Sequence, residues 1–184
     1  MDSAIVVPVP DAEPVADRWR RRLDPSRRQG MPAHITVLTP FLPPPMIDGV
    51  VVARLAELFG EIDAFDFSLM RTEWFDRRVV YLSPEPVDAF VEMTRAVQAS
   101  FPDYRPYGGA FATVVPHLTI AEGAHPLRMR RAASRFDANL PIRAHASDVW
   151  LMVRDVAPTW RRLHTFALGD GSPPIEDSLD RAPA

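Results

Sequence analysis

Two tetrapeptides in this chain share one pattern: His34-Ile35-Thr36-Val37 and, 83 residues later, His117-Leu118-Thr119-Ile120. Histidine occurs 5 times and threonine 8 times among 184 residues, so chance is a poor account of two such matches. Each copy lies in an apolar, β-branched run marked by proline, with Pro32 and Pro40 around the first and Pro116 before the second, and such runs form short strands. Side chains alternate along a strand, so each histidine shares a face with the threonine two residues on, while Ile35, Val37, Leu118 and Ile120 turn toward a core. An imidazole and a hydroxyl are thus presented side by side, twice.

Histidine is the side chain whose ordinary pKa lies near neutrality. One copy can take a proton from an attacking oxygen while the other gives one to a leaving oxygen. Two hydroxyls and a charged imidazole can hold the non-bridging oxygens of a phosphodiester, where negative charge must be stabilised. The scheme calls for no metal and no cofactor. Two histidines alone make a poor zinc site, because catalytic zinc takes three protein ligands and the sequence offers no His-x3-His pair or cysteine cluster.

The paired motifs, with the flanking stretch Pro32-Ala33-His34-Ile35-Thr36-Val37-Leu38-Thr39-Pro40-Phe41-Leu42-Pro43-Pro44 and with Pro116-His117-Leu118-Thr119-Ile120-Ala121, resemble the 2H phosphoesterase superfamily, and within it the 2′-5′ RNA ligase-like proteins and cyclic nucleotide phosphodiesterases. The resemblance runs over residues 4–168. It implies an α+β fold of two pseudo-symmetric antiparallel sheets with helices on their outer faces and a central cleft. It also implies metal-independent chemistry on 2′,3′-cyclic or 2′-5′ phosphodiesters, with His34, Thr36, His117 and Thr119 as the catalytic set. By resemblance, His117 activates the water and His34 protonates the leaving sugar oxygen.

Composition narrows the chemistry further. The chain has no cysteine, which removes disulfides, thiol nucleophiles and thiolate metal sites, and all 21 of its basic residues are arginine. Without lysine there is no Schiff base, no Walker-type phosphate loop and no lysine–nucleotide adduct, so ATP-dependent ligation is excluded. A net charge of −3 argues against coating long nucleic acid but is compatible with a small nucleotide or an RNA terminus as substrate. There is no secretory signal pattern and no 18-residue apolar run, so a cytoplasmic monomer without membrane contact is expected.

Along the chain, 4–9 reads as a strand and 11–23 as a helical pattern, followed by the first motif strand. Ile47, Val50, Val51, Leu55, Leu58 and Phe59 recur at helical spacing and form an amphipathic helix for the rear of the first sheet. Residues 65–74 and 79–82 read as a hairpin, and Phe90 to Phe101 as a helix. After the second motif come a helix at 126–139, one strand from 142 to 153 and a closing strand at 160–168. Residues 1–168 therefore form one bilobal domain, and the proline-rich, acidic 169–184 is expected to be disordered.

Five further residues are candidates for substrate binding. Tyr107, Phe111 and Trp160 are candidates for stacking on a base, and Arg78 and Arg154, near strands that border the cleft, for gripping a phosphate. The run Arg18, Arg20, Arg21, Arg22, Arg27 and Arg28 spreads over more than one helical face and reads as a solvated surface. His145 begins a degenerate copy, His145-Ala146-Ser147-Asp148, whose acidic fourth position departs from the motif. Two other readings use the same cleft differently: a module that only binds nucleotide ends, or a biosynthetic or defence enzyme redirected to another substrate.

Overall fold

Each motif sits on the outer strand of its own sheet. The computed structural model describes residues 2–111, 113–154, 159–169 and 175–176. Among these, the first half of the chain runs β1 (Asp2–Pro8), α1 (Glu13–Leu23), α2 (Pro25–Arg28), β2 (His34–Leu38), α3 (Gly49–Gly60) and β3 (Phe65–Phe75). The second half runs β4 (Val79–Glu85), α4 (Asp88–Ser100), β5 (Leu118–Glu122), α5 (Pro126–Asp137), β6 (Ile142–Ala146), β7 (Asp148–Arg154), β8 (Arg161–Ala167) and β9 (Ile175–Glu176). The sheets have the orders β2-β1-β7-β8-β9 and β5-β4-β3-β6, antiparallel throughout.

The series strand, helix, motif strand, helix occurs twice, as β1-α1-β2-α3 and β4-α4-β5-α5, and the next long strand of each half crosses to the other sheet. Thus β3 joins β4, and β7 joins β1. The helices between paired strands cross over as well. Thr94 on α4 donates from Oγ1 to the Val37 carbonyl of β2 at 3.0 Å, and Arg20 on α1 donates from Nε to the Thr119 carbonyl of β5 at 3.1 Å. The β2 and β5 edges are therefore each flanked by a helix of the opposite half, which covers backbone groups there, and β2 lies beside β5.

Local sequence accounts for the elements. Asp48 caps α3, accepting from the Val50 and Val51 amides at 3.0 Å each, and α3 buries Leu55 and Phe59 behind the first sheet, with Phe59 against Phe166 of β8. His125 caps α5 ahead of Pro126 at the first helical position. Ile35, Val37, Leu118 and Ile120 are buried in one continuous core shared by both sheets.

The single strand expected from 142 to 153 is two. The apolar alternation changes phase across Ser147, with Ile142, Ala144 and Ala146 buried before it and Val149, Leu151 and Val153 after it. Ser147 leaves the ladder, and the chain passes from β6 in one sheet to β7 in the other. The Arg18–Arg28 run is not uniformly solvated either: Arg20 is 1% exposed, among the largest fully buried side chains. Within the tail, Ile175 and Glu176 pair with β8, while 170–174 and 177–184 lie outside the described residues.

Candidate active site

The two imidazoles are held by the same device. His34 is the first residue of β2, and its Nδ1 lies 2.8 Å from the carbonyl of Pro32; His117 immediately precedes β5, and its Nδ1 lies 2.7 Å from the carbonyl of Val115. A carbonyl oxygen only accepts, so Nδ1 carries the hydrogen in both rings and Nε2 presents a lone pair. Among the described residues no hydrogen bond occupies either Nε2 or the hydroxyls of Thr36 and Thr119. The rings are close enough that a charge on His117 is felt at His34.

Their surroundings differ. Burial, and after it the nearby Arg20 guanidinium, pull the pKa of His34 down to about 4. Arg20 is paired with Asp24 through Nη2 at 2.8 Å and Nε at 3.0 Å, and its Nη2 also reaches the Met31 carbonyl at 3.4 Å, on the segment entering β2. With Nε on the Thr119 carbonyl, this one buried side chain joins both motifs. Asp24 in turn caps α2, accepting from the Ser26 amide and hydroxyl at 2.8 and 2.7 Å. Glu13 adds a further tie, accepting from the Ala33 amide at 2.6 Å.

His117 stands among aromatic rings instead. Phe75 approaches at 4.9 Å between centroids with the planes at 87°, and Tyr81 at 5.3 Å. Burial lowers the pKa of His117, with no cation among the causes. Tyr81 stacks on Phe75 and donates its hydroxyl to Glu73 at 2.8 Å, and Glu73 accepts from Arg71 at 2.7 Å. Burial, and then the hydrogen bond to Glu73, push the Tyr81 phenol up to about 12.

A profile of the 2′-5′ RNA ligase superfamily matches residues 7–158, which spans both motifs and most of the chain. The chain belongs to this family, the 2H phosphoesterases. Its fold is that of solved members and neighbours. Protein TT0787 of Thermus thermophilus superposes with a TM-score of 0.61 at 15% identity, over 92% of this chain and 98% of that one. E. coli LigT, solved in complex with 3′-AMP, gives a TM-score of 0.57 at 16% identity, over 91% and 97% of the two chains. A structure described as a phosphoesterase gives 0.54 at 15% identity, over 91% and 98%. Among curated proteins, no relative matches this sequence.

The strands that carry the motifs adjoin, with His34 and Thr36 on β2 and His117 and Thr119 at the start of β5. The other candidates scatter. Trp160 is half-buried beside β7, with the Arg154 guanidinium 5.1 Å from its ring, and Arg154 is held by Asp2 and by Gln29 at 2.6 Å. Tyr107 lies in the loop before the second motif, its amide donating to the Thr39 carbonyl at the far end of β2, and burial pushes its phenol up to about 12. Phe111 packs edge-on against Tyr107 and is 63% exposed. Arg78 is exposed at the β3–β4 turn, where its carbonyl accepts from Gly123 just beyond β5.

His145 is on β6, away from the motif strands, with Nδ1 2.7 Å from Asp66. His164 is half-buried beside Phe166 on β8. Sequence reasoning missed Arg20, Tyr81 and Phe75, since the contacts that bring them to the site are all long-range. Among the described residues, no group of three or more His, Cys, Asp or Glu is placed to hold a metal, and no helix is long and apolar enough to cross a membrane.

Proposed function

We propose that this protein is a metal-independent phosphodiesterase acting on 2′,3′-cyclic phosphates or 2′-5′ linkages at nucleotide or RNA ends. The observation that carries this reading is the duplicated tautomer lock: two imidazoles at the starts of adjoining strands, each fixed through Nδ1 to a carbonyl two residues back and each with an Nε2 unoccupied among the described residues. A protein that only bound nucleotide ends would need neither proton-transfer group. The nucleotide complex of the structural neighbour LigT is consistent with a nucleotide ligand here.

In the reaction, one Nε2 takes the proton of a water whose oxygen bonds to phosphorus. The phosphorus–oxygen bond to the leaving sugar oxygen breaks, and the other imidazole, charged, gives that oxygen its proton. Thr36 and Thr119 donate to the non-bridging oxygens. Burial lowers both rings, but the Arg20 charge, only partly offset by Asp24, further disfavours a proton on His34, and among the described residues no cation does so for His117; this favours His34 as the base and His117 as the acid. This reverses the order that family resemblance implies.

The test is incubation with adenosine 2′,3′-cyclic phosphate and with a 2′-5′ dinucleotide, each in EDTA. Conversion to a nucleoside monophosphate or to cleaved ends is expected, with a bell-shaped pH dependence whose acid limb reports His34. Activity that disappears in EDTA and returns with zinc or magnesium, or no turnover of either class, contradicts the proposal.

A further inference from the structure

The strand registers define two equivalent rows leading away from the paired motifs, and their chemistry is opposite. In the first sheet Thr36 of β2 lies opposite Val6 of β1, which lies opposite Trp150 of β7. In the second, Thr119 of β5 lies opposite Tyr81 of β4, which lies opposite Glu73 of β3. Residues in such a row share a face. Burial fixes which face: Val149 and Leu151 belong to the main core, whereas Trp150 packs with Val6, Ala4, Met31 and Met152 in a separate cluster on the motif side.

Beside Thr119 the row is filled. Tyr81 closes against His117 and Phe75, is buried, and ends its hydroxyl on Glu73, so this row offers no open ring face. Beside Thr36 the intervening residue is the smaller Val6, and beyond it stands Trp150. Asp148 accepts from its indole Nε1, and the Arg162 guanidinium lies 4.3 Å from its ring centroid. Trp160, under Arg154, flanks the same cluster. Two strand spacings separate the Trp150 and Thr36 backbones by about 10 Å, so the indole side chain is within reach of a base whose phosphate is held at Thr36.

We propose that the Trp150–Arg162 wall is the subsite for the nucleobase of the substrate, so that the nucleoside lies along the first sheet, on the His34 side. The inference rests on the phosphodiesterase reading and adds to it an orientation. A flat, electron-poor heteroaromatic ring suits an indole backed by a guanidinium, and such stacking tolerates any base.

Calorimetry with adenosine 2′-monophosphate and with glycerol 2-phosphate tests this without needing turnover. The wild type is expected to bind the nucleotide about tenfold more tightly than the base-free phosphate. W150A should bring that ratio near one while leaving glycerol 2-phosphate affinity in place; W150F, which keeps a flat ring, should retain most of it, and E73Q on the opposite wall all of it. A preference that survives in a folded W150A, or that is lost in E73Q, overturns the assignment. Equal binding of the two compounds by the wild type overturns it too while leaving the phosphate site standing, and binding of neither removes the phosphodiesterase reading along with it.

Discussion

The two half-sites carry one motif in two environments. His34 stands beside a buried cation, and His117 stands in a box of Phe75 and Tyr81. Backbone geometry, set by the motif and the carbonyl two residues before it, is the same in both. What differs comes from elsewhere in the chain: Arg20 and Asp24 from α1 and its end, Phe75 and Tyr81 from the β3–β4 hairpin. The motif therefore supplies the reactive groups and their tautomer, while the surrounding elements make one imidazole a better base than the other. Matched sequence does not imply matched roles.

Removing either imidazole should have the largest effect. His34→Ala and His117→Ala should each lower turnover by roughly 10² to 10⁴, because each removes a proton-transfer group. The double variant should be only slightly worse than the poorer single one, since acid and base act as a unit. Steady-state rates on the cyclic nucleotide check this, with circular dichroism confirming the fold. Multiplicative losses would mean that the half-sites work separately.

The buried clamp sharpens the comparison next. Arg20→Met leaves the Asp24 carboxylate buried without its cation and should cost several kcal/mol of stability, on the order of 3–5, as read by urea denaturation. Arg20→Met with Asp24→Leu should recover much of that loss. Yet in the double variant the pKa of His34 should rise slightly, because the lowering by Arg20 outweighs the raising by Asp24, moving the acid limb of the pH–rate profile upward while His117 stays where it is. An unmoved acid limb would reduce Arg20 to a packing residue.

Smaller effects distinguish the hydroxyls and the resting protonation state. Thr36→Val and Thr119→Val each remove one neutral hydrogen bond to phosphate, for a loss of roughly tenfold or less in kcat/KM. Folding holds His34 below its ordinary pKa, so the unfolded chain binds the proton more readily below pH 6.5. The associated stability is present above that pH and is lost as the pH falls toward about 4. Thermal melts of His34→Gln should show a flatter dependence over that window than the wild type. An identical slope would argue that His34 titrates normally.

How much of this was legible beforehand follows the range of the interactions. His34, Thr36, His117 and Thr119 announce themselves through composition and period-two alternation, both local properties, and the two-sheet fold follows from the family they resemble. Even the break at Ser147 was present as a phase change between Ala146 and Val149, although one apolar run hid it. Arg20 was not legible. It stands among six arginines, and only the approach of β5, with a carbonyl 99 residues away, makes it a buried joint instead of a solvated charge. Trp150 and Tyr81 were equally hidden, because strand register across two sheets decides which side chain stands next to each threonine.

The central claim is that both motifs form a single phosphate site, and histidine-selective NMR tests it most directly. Titrating the protein with adenosine 2′-monophosphate should move the ring resonances of His34 and His117 together, with one dissociation constant and saturation at one equivalent. If one ring moves while the other does not, or if the two follow different binding curves, the two motifs do not share a substrate and the account is wrong.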